Sequence, residues 1–167
     1  FTYPDGKIDI KSKSGRNGAV KYTDYAIGQL VKKAQLKPWF DKTIFIFVAD
    51  HCAGSAGNTD VPLWRYQIPA MFYAPKIIKP RIFKQNISQV DIAPTIIGLL
   101  NFSYKSKFFG TDVLNNEKTI NQHAFVGTYS DVGYFKNNAL YLLKPKKEIK
   151  VFDVTFKNYG WQGSREE

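Results

Sequence analysis

The sequence lacks long hydrophobic runs, and it contains one cysteine and two histidines in 167 residues. Its longest apolar run is far shorter than the roughly 18 residues that a membrane-spanning helix needs, so the sequence predicts no span. A single cysteine, Cys52, excludes a disulfide within the chain. No secretory leader pattern opens the sequence, which starts at Phe1 rather than at a methionine, and we expect it to be part of a longer protein.

The composition is that of a folded, basic domain. Hydrophobic residues make up 44% and aromatic residues 16% of the chain, which argues against intrinsic disorder, and the length predicts one domain. The formal net charge of +10 favours anionic partners: nucleic acid, an anionic lipid, or a phosphorylated or sulfated substrate. A generally basic, solvated surface is the plainer interpretation of the same charge. The chain has neither an arginine-rich helix nor zinc-finger spacing, so nucleic acid is not the expected partner.

The first part of the chain alternates between helix and strand patterns after an opening loop. Apolar residues recur at helical spacing from about Gly18, where Asn17 can cap the helix, and Pro38 ends it. The run 43–49 is apolar without alternation, which is typical of a central strand covered on both faces. The run 70–74 predicts a second short, buried strand.

The later part of the chain predicts one helix and then antiparallel strands. Ser88 can cap a helix that continues to about Leu100, with Asp91 in its first turn and Pro94 early enough to be tolerated. Asn137-Asn138 is a plausible hairpin turn. The strands predicted here are 124–129, 139–143 and 151–156.

Together these patterns predict an α/β fold, with a mostly parallel sheet flanked by helices and a C-terminal antiparallel hairpin region. We expect residues 1–157 to form this domain. Residues 158–167 are expected to be a polar, frayed tail.

Asp50 and His51 stand where the apolar run 43–49 ends, and they are the strongest candidates for a functional site. Ligands of open α/β sheets bind beyond the carboxyl ends of the strands. A carboxylate oxygen and an imidazole nitrogen together suit a divalent metal such as Zn²⁺ or Mn²⁺. Neighbouring residues of a regular strand point to opposite faces, so both reach one ion only if the strand breaks. Gly54 and Gly57 make such a break easy.

The Asp-His pair, His123 and Cys52 can each also have a purely structural role. An Asp-His pair alone is commonly a cap or a surface pair. His123 follows a polar stretch and is expected to be a solvent-exposed loop histidine. Cys52 is expected to be a small packed residue, because a catalytic cysteine needs a base that is itself oriented by a third group.

Four segments in order resemble the second half of a sulfatase-type domain of the alkaline phosphatase superfamily. The first is the predicted helix AVKYTDYAIGQLVKKAQLKPWFDKT, and the second is the strand TIFIFVADH, which a run of small residues follows. The third and fourth are YQIPAMFYAP and ISQVDIAPTIIGLL. The similarity covers roughly residues 1–145. The pattern is most similar to the lipoteichoic acid synthase and phosphoglycerol transferase branch.

The resemblance implies roles for a few residues. Asp50 and His51 become ligands of a divalent metal, with Mn or Zn favoured over Ca. Ser55 and Asn58 become weaker candidates for substrate contact. The nucleophile, a threonine in the synthase branch or formylglycine in true sulfatases, and an acidic ligand are expected in an N-terminal half upstream of Phe1. The resemblance therefore implies no appreciable turnover from these 167 residues alone.

The implied function is phosphoglycerol or phosphoethanolamine transfer, or sulfatase-like hydrolysis, on phosphate or sulfate esters. The implied partners are an anionic lipid headgroup or ester substrate and the N-terminal half of the same domain. The implied location is the bacterial inner membrane, reached through the parent protein, with the catalytic domain on the periplasmic or extracellular face. Two alternatives stay open: a non-catalytic basic module that binds an anionic polymer or nucleic acid, and a degenerate domain with a structural role.

Overall fold

The structure, a computed structural model, describes residues 2–52, 54, 61–115, 123–157 and 160–166. Short 3₁₀ turns occur in these residues at Phe40–Lys42, Leu63–Arg65, Gln89–Asp91 and Pro145–Lys147. No helix in these ranges is both long enough and apolar enough to cross a bilayer. The helices and strands are α1 (Arg16–Ala34), β1 (Phe45–Val48), β2 (Ala70–Tyr73), α2 (Ile92–Leu99), β3 (His123–Gly127), β4 (Val132–Lys136), β5 (Ala139–Leu143), β6 (Ile149–Lys157) and β7 (Gly160–Glu166).

The mixture of helices and sheets confirms the α/β class. The chain divides into two compact units. One comprises Phe1–Phe47 and Met71–Pro80, and the other comprises Val48–Ala70 and Arg81–Glu167.

The first unit is built on helix α1 and the loop before it. The helix begins after Gly15, whose φ of 85° lies in the left-handed region that glycine tolerates, and not after the predicted cap Asn17. Tyr3 in the loop is buried, and its hydroxyl donates to the Lys11 carbonyl at 2.8 Å. A side chain at Gly18 would collide with this hydroxyl, so the glycine permits the close approach of loop and helix.

Aromatic rings pack around β1. The ring centroid of Phe45 lies 5.7 Å from that of Phe40 and 6.4 Å from that of Tyr73. The prediction that this strand is covered on both faces is wrong: Phe45 and Phe47 are half-buried, and Val48 is exposed. Among the described residues β1 pairs with β2 alone, so both strands of this sheet are edge strands and neither is central.

Helix α2 starts as the sequence predicted. The 3₁₀ turn Gln89–Asp91 leads into it, and Ser88 and Asp91 cap this start reciprocally. The Asp91 carboxylate accepts the Ser88 backbone N–H at 2.8 Å. Pro94 lies in the first turn of α2, where a missing N–H is tolerated.

Strands β3–β7 form one antiparallel sheet in chain order. Asn137 and Asn138 join β4 to β5 with φ values of 51° and 62°, both in the left-handed region that a type I′ turn requires. The predicted hairpin is therefore confirmed. The side chains of the core on this sheet are Val61, Leu63, Val126, Phe135, Leu140, Leu142, Phe152 and Val154.

Two features of this sheet differ from the prediction. The predicted C-terminal antiparallel region is confirmed but is larger than expected: it holds five of the seven described strands, and chain-adjacent strands joined by tight turns pair antiparallel. The predicted frayed tail is also wrong for its described part, where the backbone of Gly160–Glu166 forms β7 against β6. Backbone hydrogen bonds to β6 keep this segment in a strand, although its polar sequence has no alternating hydrophobic pattern.

Candidate metal centre

The chain turns immediately after β1. The backbone N–H of Ala49 donates to the Pro69 carbonyl at 3.3 Å, and Asp50 follows outside the strand. The Asp50 carboxylate accepts the backbone N–H of His51 at 3.0 Å. An aspartate that binds a neighbouring backbone N–H competes with strand pairing, so Asp50 itself helps to end the strand.

The side chains of Asp50 and His51 converge at this turn. Only 3.4 Å separates Oδ2 of Asp50 from Nε2 of His51. In a regular strand the two side chains would point to opposite faces, so the turn brings them together. The convergence that a shared cation requires is therefore present.

The hydrogen bond at Nδ1 of His51 determines that Nε2 is the nitrogen free to bind a cation. Nδ1 lies 2.7 Å from the Cys52 carbonyl, which can only accept, so in the neutral imidazole Nδ1 carries the hydrogen. Nε2 then keeps its lone pair and faces the Asp50 carboxylate. A backbone carbonyl that holds the far nitrogen is the usual arrangement around metal-binding histidines.

A divalent cation fits this pair as part of a coordination shell, because carboxylate oxygen and imidazole nitrogen are both good ligands for Zn²⁺ or Mn²⁺. The side chains are 87% exposed for Asp50 and 78% exposed for His51, so an ion can reach both. Within the described ranges no group of three histidine, cysteine, aspartate or glutamate side chains is assembled for a metal. Metal binding by this pair stays a prediction.

The two predicted substrate-contact residues, Ser55 and Asn58, lie outside the described residues, and their role also stays a prediction. Cys52 is partly exposed and carries a free thiol. Its observed contribution to the site is the backbone carbonyl that orients His51.

Gln89 contacts the same turn from a distant part of the sequence. Its side-chain nitrogen lies 3.2 Å from the carbonyl oxygen of Ala49 and 3.2 Å from that of Asp50. This contact could not be predicted from the sequence, because Gln89 lies 39 positions after Asp50; the one available signal was its place inside the ISQVDIAPTIIGLL motif.

His123 occupies a different place from the one predicted. It begins strand β3, and its side chain is only 14% exposed, so the prediction of a solvent-exposed loop histidine is wrong. The imidazole packs against the rings of Phe125 and Tyr134, with centroid distances of 5.7 and 6.0 Å. Its Nε2 lies 3.9 Å from Oδ1 of the buried Asp91. The paired strand β4, which carries Tyr134, helps to bury this histidine. The polar residues before His123 in the sequence did not indicate this burial.

Several chains of solved structures resemble this chain, among them the following two. A protein in the alkaline phosphatase superfamily from Vibrio parahaemolyticus matches with a TM-score of 0.87 and 30% identity, over 99% of this chain and 40% of that one. The structure of Ps i-CgsB matches with a TM-score of 0.64 and 19% identity, over 91% of this chain and 40% of that one, and this likeness concerns the fold alone. The chain thus spans 40% of the length of either protein.

The sulfatase family model matches residues 1–102, which include the helix, the strand and the Asp-His turn described above. This range is more than half of the 167 residues. The chain belongs to the sulfatase family.

Proposed function

We propose that this chain supplies Asp50 and His51 as metal ligands to a metal-dependent, sulfatase-type hydrolase or transferase that acts on phosphate or sulfate esters. Membership of the sulfatase family supports the enzyme class. The observation that carries the assignment of the site is the 3.4 Å approach of the Asp50 carboxylate to Nε2 of His51 where β1 ends.

Each residue of the turn has a separate task in this proposal. Asp50 provides negative charge for the ion, and its Oδ1 holds the backbone of His51. His51 offers the lone pair of Nε2, while the Cys52 carbonyl keeps the ring in the required tautomer. A divalent cation bound here would offset negative charge on the oxygens of the reacting ester.

Within this class we favour transfer of phosphoglycerol or phosphoethanolamine from an anionic lipid headgroup. The net charge of +10 supports attraction to an anionic membrane surface. The parent protein would then work at the bacterial inner membrane, with its catalytic domain on the outer side. In this proposal the nucleophile comes from residues outside these 167, so we expect no appreciable turnover from the chain alone.

Calorimetric titration with Zn²⁺ and with Mn²⁺ tests the metal site. We expect Asp50→Asn and His51→Ala each to weaken binding about 100-fold, because each removes one of two converging ligands. Asp41→Asn removes an exposed carboxylate of the 3₁₀ turn Phe40–Lys42 and is the matched control, with unchanged affinity. Equal metal affinity in the wild type, Asp50→Asn and His51→Ala would overturn the proposal.

The net charge also favours a second candidate, a non-catalytic basic module for an anionic polymer. Such a module would bind polyanions with an affinity that falls steeply as salt rises. Its binding would not respond to Zn²⁺, Mn²⁺ or Asp50→Asn. Filter binding of a polyphosphate across a salt series, with and without Zn²⁺, separates this candidate from the metalloenzyme.

A further inference from the structure

We propose that Gln89 is a positioning residue, which clamps the turn after β1 and thereby holds Asp50 and His51 in the geometry of metal ligands. This inference rests on the proposed metal site. Gln89 itself contacts the backbone of the turn and not the ligand side chains.

The clamp consists of two hydrogen bonds from one nitrogen. The Gln89 side-chain amide carries two hydrogens, and its nitrogen lies 3.2 Å from each of two successive carbonyl oxygens, those of Ala49 and Asp50. Successive carbonyls of an extended strand point in opposite directions, so one nitrogen can reach both only where the backbone turns. A donor at this position therefore stabilises the turned backbone over the extended one.

The turned backbone is also what brings the two candidate ligands together. If the strand continued beyond Ala49, the side chains of Asp50 and His51 would lie on opposite faces. The Gln89 amide and the bond from the His51 N–H to Asp50 both act against that continuation. Gln89 thus acts on the ligands through their backbone.

Hydrogen bonds hold the backbone from which the Gln89 side chain projects. Gln89 belongs to the 3₁₀ turn Gln89–Asp91, which is closed by the Asp91 N–H donating to the Ser88 carbonyl at 3.0 Å. The Asp91 carboxylate is 1% exposed and accepts two further backbone N–H groups, those of Ser88 and Thr111, each at 2.8 Å. A side chain that starts from such a fixed backbone can hold a ligand turn more accurately than one from a free loop.

Gln89→Met tests the clamp, because methionine keeps the length of the side chain and removes both donors. Gln67 is another exposed glutamine of the same unit, so Gln67→Met is the matched control. Co²⁺ serves as the probe, titrated by calorimetry and followed by its visible absorption, which reports the geometry of its ligands. We expect affinity for Co²⁺ to fall about tenfold in Gln89→Met, as for other residues that orient ligands. We expect no change in Gln67→Met.

The absorption of the Co²⁺-saturated protein separates positioning from general stabilisation. We expect the spectrum of Gln89→Met to differ from that of the wild type. If Gln89 only stabilised the fold, its replacement would lower the unfolding temperature and leave the spectrum unchanged. Gln89→Glu is the second variant. It keeps the shape and replaces the donor nitrogen with oxygen, so we expect weaker binding despite the added negative charge.

The two proposals fail in different ways. If Co²⁺ binds the wild type and depends on Asp50, but the affinity and spectrum of Gln89→Met and Gln89→Glu match the wild type, the clamp is overturned and the metal site stands. If Co²⁺ binding is absent from the wild type or indifferent to Asp50→Asn, the metal site is overturned and the clamp with it.

Discussion

The imidazole of His123 lies against the carboxylate of Asp91, with 3.9 Å between Nε2 and Oδ1. This contact joins the first strand of the antiparallel sheet to the turn that precedes α2. The Ser88 hydroxyl reinforces the junction by accepting the backbone N–H of Phe125 at 3.2 Å. The capping residues of one helix therefore also anchor the edge of the five-stranded sheet.

Replacing Asp91 with alanine is expected to destabilise the protein strongly. The buried carboxylate accepts the N–H groups of Ser88 and Thr111, and each N–H left without an acceptor costs about 1–3 kcal/mol. We expect a loss of about 3 kcal/mol in the free energy of unfolding, measured with urea. The exposed Asp41→Ala should stay within about 0.5 kcal/mol of the wild type. A loss under about 1 kcal/mol in Asp91→Ala would contradict this role.

Metal affinity is expected to fall as the solution is acidified. A proton and a metal ion compete for Nε2 of His51, because only the neutral imidazole has a lone pair to offer. Binding of Zn²⁺ should be weaker at pH 5 than at pH 7, as measured by competition with a coloured chelator. An affinity that is the same at both pH values would exclude the imidazole as a ligand.

Gly110 and Gly28 make a matched pair for testing backbone contacts. A side chain at Gly110 would collide with the backbone carbonyl of Val90, in the fixed 3₁₀ turn Gln89–Asp91, so Gly110→Ala should cost about 1–3 kcal/mol. Gly28 lies within α1 with open space around it, so Gly28→Ala should stabilise the protein by up to about 1 kcal/mol. Thermal unfolding measures both changes, and equal shifts in the same direction would refute the packing assignment.

The Asp9–Lys21 ion pair should contribute to stability only above acidic pH. The side-chain hydrogen bond from Lys21 lowers the pKa of Asp9 from its ordinary value of 3.8. The Nζ atom lies 2.8 Å from Oδ2 and 2.6 Å from Oδ1. A lowered folded-state pKa means that the stabilisation is present above the ordinary value and is lost as pH falls through the lowered one.

Asp9→Asn is therefore expected to lower the unfolding temperature slightly at pH 7. The difference from the wild type should shrink as pH falls below about 4, and high salt should also reduce it, since both side chains are substantially exposed. Scanning calorimetry at pH 7 and pH 3 measures this. A difference that grows at low pH would contradict the sign of the pKa shift.

Features of this fold that depend on local chemistry could be predicted from the sequence. Asn137-Asn138 specifies a hairpin because both residues tolerate positive φ, and the observed values are 51° and 62°. Ser88 and Asp91 specify a helix start through a reciprocal cap that spans three residues. The break after β1 could be predicted too, because a carboxylate and an imidazole interrupt an apolar run.

Features that depend on distant contacts could not be predicted. The burial of His123 arises from strand pairing and from Asp91, which is 32 positions away along the chain (123 − 91). The contact of Gln89 with Asp50 spans 39 residues, and nothing local distinguishes that glutamine from Gln67. Strand β7 has a polar sequence, so only its pairing with β6 identifies it.

The chain-order pairing of β3–β7 has a consequence for the kinetics of folding. Every strand in this meander finds its partner in the next segment of chain, so each step closes a short loop and loses little entropy. Strands β1 and β2 must instead close the intervening residues 49–69. In a pulse-labelled refolding experiment, the backbone amides of β3–β7 should thus become protected from hydrogen exchange first. The amides around the candidate metal ligands should become protected last.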